Sequence, residues 1–346
     1  MISLALAFAL IGPTSPAAPT LQVRVDSARH LVIVTVSPID VAGGSGSGHH
    51  AMMEGNGGEL PLLRFNWPVD GWTRGVSMRL TAKDGTQLNR RLVHHINVVN
   101  FSRRQLFYPI AERMIAMGQE TEDIRLPASV GIPVTAGMSM GVVGMFHNES
   151  HDPVNGFSVE LRIEYSPTNL VPKPLSVLPG YLDVQNPVAK AVDFNLPAGL
   201  TNWKYDFTMP ITGRIIGAGG HLHDYGTGLQ LLDVTDPTST RTVLKIGAKS
   251  NKDGQLLSLD RLLPGVTGKG LRMEQGRNYR MTAQYQNPTG EEIDKGAMVH
   301  MILLFAPDKP EQWPALQTDN ADYKTDLHWL ETRVMPAGMK MEGMDH

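Results

Sequence analysis

FSVELRIEYSPTNLVPKPLSVLPG, residues 157 to 180, decides the fold. Its first nine residues put Phe157, Val159, Leu161, Ile163 and Tyr165 on one face and Ser158, Glu160, Arg162 and Glu164 on the other. That is the two-residue period of a half-buried strand. The fifteen residues that follow hold four prolines, so the strand stops and a linker begins. A strand with one wet face belongs to an antiparallel sheet. Outward from this break, LQVRVD (21–26) and LVIVTVS (31–37) alternate in the same way, and LQLLDVTD, TVLKI, YRMTAQY and MVHMILLF are short apolar segments ended by turn residues.

The chain therefore reads as all-β. A length of 346 residues exceeds one ordinary hydrophobic core, so two domains are expected. The organisation read from the sequence is a pair of antiparallel β-sandwiches, jelly-roll-like, in tandem: 20–165, a Pro-rich linker at 166–180, and 181–310. YPIAERMIAMGQE (108–120) is the one stretch with a helical pattern, Pro109 standing where a helix start tolerates it. GGSGSGHHAMMEGNGG, from Gly43 to Gly58, reads as a mobile loop whose His49, His50, Met52 and Met53 are metal-capable but not counted as a site. Residues 311–346 read as a tail rich in methionine (Met335, Met339, Met341, Met344). Cu(I) ligation there is weighed against the simpler reading of a disordered end.

MISLALAFALIG followed by PTSPAAP has an apolar run too short to span a bilayer and then small residues suited to cleavage, so 1–18 reads as a signal peptide and the protein as exported, periplasmic or secreted. No other segment reads as transmembrane. A net charge of −3 from 31 basic and 34 acidic residues offers no field for nucleic acid. There is no cysteine, so export brings no disulfide, and packing or a metal has to hold the fold.

Histidine is scarce, 12 in all, yet outside the glycine-rich loop it is paired twice. In GAGGHLHDYGTG (217–228), His221 and His223 share one face of a strand and can reach one point; the alternative is one packed surface residue and one turn residue. In RLVHHINVVN, His94 and His95 are neighbours, and both can serve one ion only if the strand is bulged there. His147 ends an apolar run in MGVVGMFHNES, where core histidines also occur. Met298 opens the apolar strand of GEEIDKGAMVHMILLF, a place where methionine usually fills core.

Taken as a set, VHHI (93–96), LPASVG (126–131) leading to MFHNES, HLHDYG (221–226) and the Met298 strand ending in FAP resemble, in order and spacing, the copper type II ascorbate-dependent monooxygenases, the group of peptidylglycine α-hydroxylating and dopamine β-monooxygenases. The resemblance covers residues 20 to 310 and rests on the set. It implies two copper ions per chain and ascorbate as electron donor. One ion, on His94, His95 and His147, would store and deliver an electron. The other, on His221, His223 and Met298, would activate O2 and attack a C–H bond of a small molecule or peptide. The two sites would face each other across a cleft between the domains.

Departures are the missing cysteines, Ile96 where the family often has Met, and Met145 where a polar residue often precedes the third histidine. His300 shares a strand face with Met298 and competes with it as ligand. A non-catalytic exported copper-binding or storage protein is the alternative. Structural zinc fits poorly, since zinc prefers Cys, His and carboxylate to thioether.

Overall fold

The computed structural model describes residues 17–44, 58–119, 121–148, 150–185 and 193–332. Most of the expected signal peptide, the centre of the glycine-rich loop with its histidines and methionines, and the methionines of the tail lie outside these residues.

The protein is an all-β sandwich structure of four sheets, almost wholly antiparallel; the exception is Leu175–Ser176, which runs parallel to Val130–Gly131. One sheet has the strand order Thr20–Asp26, Leu31–Val41, Val154–Ser166, Gly71–Thr81, Val130–Val134 and Leu175–Ser176. It faces a sheet ordered Gly58–Asn66, Ser139–Phe146, Val93–Arg104 and Ala111–Gly118. Between them Val34, Val36, Phe146, Phe157, Leu161 and Ile163 form a buried core. The opening stretch supplies the inward face of that layer as its period requires: Phe157, Val159, Leu161 and Ile163 are buried, and Glu160 and Arg162 pair on the outside at 2.7 Å.

A second pair of sheets follows. One is ordered Leu178–Asp183, Ile293–Pro307, Gly213–Leu222 and Leu271–Met273, and the other Gly199–Thr208, Asn278–Asn287, Gly226–Asp236, Ser239–Ser250 and Leu256–Leu259. Their core holds Leu229, Leu231, Tyr279, Met281, Tyr285, Leu303 and Phe305. Residues 105–110 leave the first sandwich and enter the second: Leu106 is buried in the second core, and the ring of Phe107 packs on Phe207 at 4.9 Å. The phenol of Tyr108 donates to the carbonyl of Asp183 at 3.2 Å and accepts from its amide at 2.9 Å.

Two expectations are corrected. The stretch 108–120 is not a helix, since Ala111–Gly118 is a strand paired with Val93–Arg104. Met114, Ile115 and Met117 pack into the sandwich core while Ala111 packs on the opposite side, so both faces are covered and the two-residue period is erased. Residues 311–332 are not tail either. Ala321–Thr332 is a helix laid on the first sandwich, with Tyr323 and Leu330 buried against Val99, Phe101, Ala111 and Val143. Asp326 on this helix receives the guanidinium of Arg113, and Glu331 that of Arg64 at 3.0 Å.

Candidate metal centre

Each of the site strands is shaped by its register. Opposite Ser139–Phe146, the Val93–Arg104 strand shifts by one residue between Val93 and His95, a bulge that falls on His94. The bulge defeats the alternation that would send adjacent side chains to opposite faces. The Nδ1 atoms of His94 and His95 stand 3.1 Å apart. His147 lies one residue past Phe146, which pairs with Val93, and its amide donates to the carbonyl of Leu92 at 3.0 Å. The turn beyond it is fixed by Asn148, whose side chain donates to Asp152 and accepts from Ser150.

In the second sandwich, His221 sits directly across from His300 and Leu222 from Val299. Continued one residue, that register sets His223 across from Met298. The preceding Gly220 is required by the close approach of chains, because a Cβ there would stand 2.7 Å from the carbonyl oxygen of His300 and 2.3 Å from Leu229.

The six rings form one connected line across both sandwiches that branches at His94. Ring centres lie 5.0 Å apart for His94 and His95, 5.9 Å for His94 and His147, 5.6 Å for His94 and His223, 5.3 Å for His221 and His223, and 5.6 Å for His221 and His300. An imidazole nitrogen ligates at about 2.0–2.1 Å, which puts the ring centres of two ligands of one tetrahedral ion about 5 Å apart. Every neighbouring pair in the row is at or slightly beyond that spacing. A cavity of about 10 Å³ is lined by His94 from one side, by His221, His223 and Asp224 from the other, and by Gln119. Among the described residues no group of three or more His, Asp or Glu side chains has the arrangement of a finished metal-holding set.

His94, His95, His147, His221 and His223 are thus brought together, and His300 joins them. The two expected trios touch at His94 and His223 instead of facing each other across an open cleft. Met298 is 5 % exposed on the His300 strand.

Three supporting residues were not anticipated. The hydroxyl of Tyr285 accepts from the amide of His223 at 3.2 Å and from that of Met298 at 3.3 Å, and donates to the Met298 carbonyl at 2.6 Å. Burial pushes this phenol well above its ordinary pKa, so it stays a neutral donor. Asp183, wholly buried, lies opposite His300 in the register, and its carboxylate stands 3.0 Å from His300 Nε2 in a bent approach. It also accepts from Tyr181 at 2.8 Å and from the amide of Gln185 at 2.7 Å. A carboxylate behind an imidazole fixes its tautomer and the direction of its other nitrogen. Gln119 completes the small cavity. An acid in the apolar strand LPGYLD was the one signal in the sequence; Tyr285 and Gln119 gave none.

No helix among the described residues is long and apolar enough to cross a membrane. No protein-family model matches the chain, and neither does any curated protein.

Proposed function

We propose that the protein is a copper-dependent monooxygenase that uses O2 and a reductant such as ascorbate to hydroxylate a C–H bond of a small molecule or peptide. The observation that carries this reading is the row of six imidazoles, gathered from distant segments of both sandwiches at ligand spacing. Imidazole with a nearby thioether and no thiolate is a donor set suited to copper, the thioether favouring Cu(I). His94, His95 and His147 would hold one ion, and His221, His223 and Met298 the other.

Copper bound there supplies single-electron transfer and the activation of dioxygen. Overall, R–H, O2, two electrons and two protons give R–OH and water, the electrons coming from the reductant. The chain's own part is positional. The bulge at His94 aims two neighbouring rings to one side, Tyr285 ties the backbone of His223 to that of Met298, and the Asp183 carboxylate stands behind the His300 ring. His147 and His223 are buried between the two sandwiches, while His94, His95, His221 and His300 are partly exposed.

The test is metal content of the purified chain together with O2 consumption under ascorbate, before and after adding a panel of small substrates. The expected result is about two coppers per chain and ascorbate-dependent uptake that a His223→Ala variant loses. Zinc in place of copper, or copper retained with no uptake above that of His223→Ala, overturns the monooxygenase reading; the second result leaves a copper-holding protein.

A further inference from the structure

Outside the histidines, a half-open and mainly apolar cavity of about 200 Å³ lies where the two sandwiches meet. Its walls include Met114 and Ala116 from the first sandwich, and Gly219, Leu263, Ile302 and Leu304 from the second. It begins where the row ends. Gly219 pairs with Ile302 on the same face of the sheet as His221 with His300, one rung further along. Same-face rungs are about 7 Å apart.

Three of the four guanidiniums at its edge are already engaged. Arg113 pairs with Asp326, Arg125 with Glu164 at 3.1 Å, and Arg261 with the carbonyls of Glu122 and Asp123 at 3.0 Å each. Arg74 lies 3.8 Å from the same Glu164, with its Nε buried and making no hydrogen bond, and Asp260 adds a carboxylate to the lining. An anionic ligand would have to compete with three of these pairs for its counter-charge, and a cationic one would face four arginines against one aspartate.

We infer that this cavity binds a neutral, apolar small molecule, a single ring or a short branched hydrocarbon skeleton, and presents one C–H end of it to His221 and His300. An apolar cavity of about 150 Å³ holds benzene, which sets the size class and excludes a peptide of more than a residue or so. The inference rests on the proposed oxygenase reading for the fate of the ligand, in which the presented C–H becomes C–OH, the second oxygen atom leaves as water, and the reductant supplies two electrons. It does not rest on that reading for binding.

Gly219 makes the idea testable. A Cβ built there meets nothing within 4 Å, and its backbone is of a kind open to any residue, so a larger side chain projects into the cavity without striking its neighbours. The probe is ethylbenzene, with benzoate and benzylammonium as charged analogues, titrated into the metal-free full-length chain and followed by calorimetry and ligand-observed NMR. Ethylbenzene is expected to saturate one site, the charged analogues to bind at least about tenfold more weakly, and Gly219→Phe to lose at least about tenfold in affinity. Gly219→Ala, which adds one methyl group, is expected to fall between and keeps the test readable if the larger residue disturbs folding.

Absence of saturable binding, an affinity unchanged in Gly219→Phe, or preference for a charged analogue overturns the inference. Because binding is read without copper, a chain that binds ethylbenzene but shows no ascorbate-dependent O2 uptake sinks the proposed function alone. Uptake with other substrates and no ethylbenzene site sinks this inference alone.

Discussion

Tyr285→Phe removes one oxygen atom and leaves the ring in the core of the second sandwich. That atom makes three hydrogen bonds: two accepted, from His223 and Met298, and one donated, to Met298. A buried bond contributes about 1 kcal/mol net, and a buried donor left unsatisfied costs about 1–3 kcal/mol. The amide of His223, at a residue 6 % exposed, loses this acceptor. The expected loss is therefore about 2–4 kcal/mol, read as a lower urea midpoint with an unchanged slope. The second consequence is local. With the tie cut, His223 and Met298 move independently, so copper affinity at the second trio falls while the His94, His95 and His147 donors are untouched. Tyr279→Phe is the control. It lies on the same strand, is as buried, and its hydroxyl accepts a single bond, from the amide of Glu274 at 3.3 Å. It should cost about 1 kcal/mol and leave metal binding unchanged. If Tyr285→Phe costs no more than this control and binds copper like the wild type, the hydroxyl does not organise the site.

Met298→Leu is close to volume-conserving, so it should cost less than about 1.5 kcal/mol, yet remove the copper–sulfur scattering path from the X-ray absorption of the reduced protein. Persistence of the path transfers the role to another methionine. Gly220→Ala drives a methyl group into the His300 carbonyl and Leu229 and should cost about 1–3 kcal/mol in thermal or urea unfolding, whereas Gly219→Ala should cost little. Equal losses at the two positions would refute the close-approach argument. Burial pushes the carboxyl of Glu112 from 4.5 up to about 7, against the opposing pull of Arg103 at 3.1 Å and Asn100 at 3.2 Å. The folded chain then keeps a proton that the unfolded chain has lost between about pH 4.5 and 7. Stability should fall as pH rises through that window, by about 3 kcal/mol in all, and Glu112→Gln should flatten the slope in urea titrations at several pH values.

The strands legible in the sequence are those with one wet face. Leu21–Asp26 and Phe157–Tyr165 keep their alternation because their outer side chains meet water, and Leu31–Ser37 keeps it except at Ile33, which is buried. Ala111–Gly118 lost it because a bulge at Met114 turns Met114 and Ile115 to the same core, while the C-terminal helix, some two hundred residues away in the chain, covers Ala111. The helix itself, ADYKTDLHWLET, shows too little apolar periodicity to be seen alone; its docking comes from Tyr323, Leu330 and the Arg113–Asp326 pair. Around the site, adjacent His94 and His95 demanded a bulge, and the register has one there. The choice between Met298 and His300 was open in the sequence, since both face one way on one strand. The structure adds that His300 is the one in ring contact with His221 and backed by Asp183. The meeting of His94 with His223 was not legible at all, because it depends on how one sandwich docks on the other.

That docking and the shape of the site are set by shared residues. Asp183 gives both backbone groups to Tyr108, the tip of the loop that the first sandwich inserts into the second, and turns its carboxylate to His300. Nearby, the indole of Trp313 donates to the carbonyl of Arg104 at 2.8 Å, holding the root of the same loop from the second sandwich's side. On the other flank, Arg261 grips the carbonyls of Glu122 and Asp123, just beyond the strand that ends at Gly118 opposite His95. The interface is thus pinned on both sides of the imidazole row. A shift of one sandwich against the other would separate His94 from His223 and alter the Asp183–His300 pair in the same movement, and it would open the apolar cavity whose walls the two sandwiches share. Tyr108 and Asp183 therefore serve the docking of the two sandwiches and the surroundings of His300 at once.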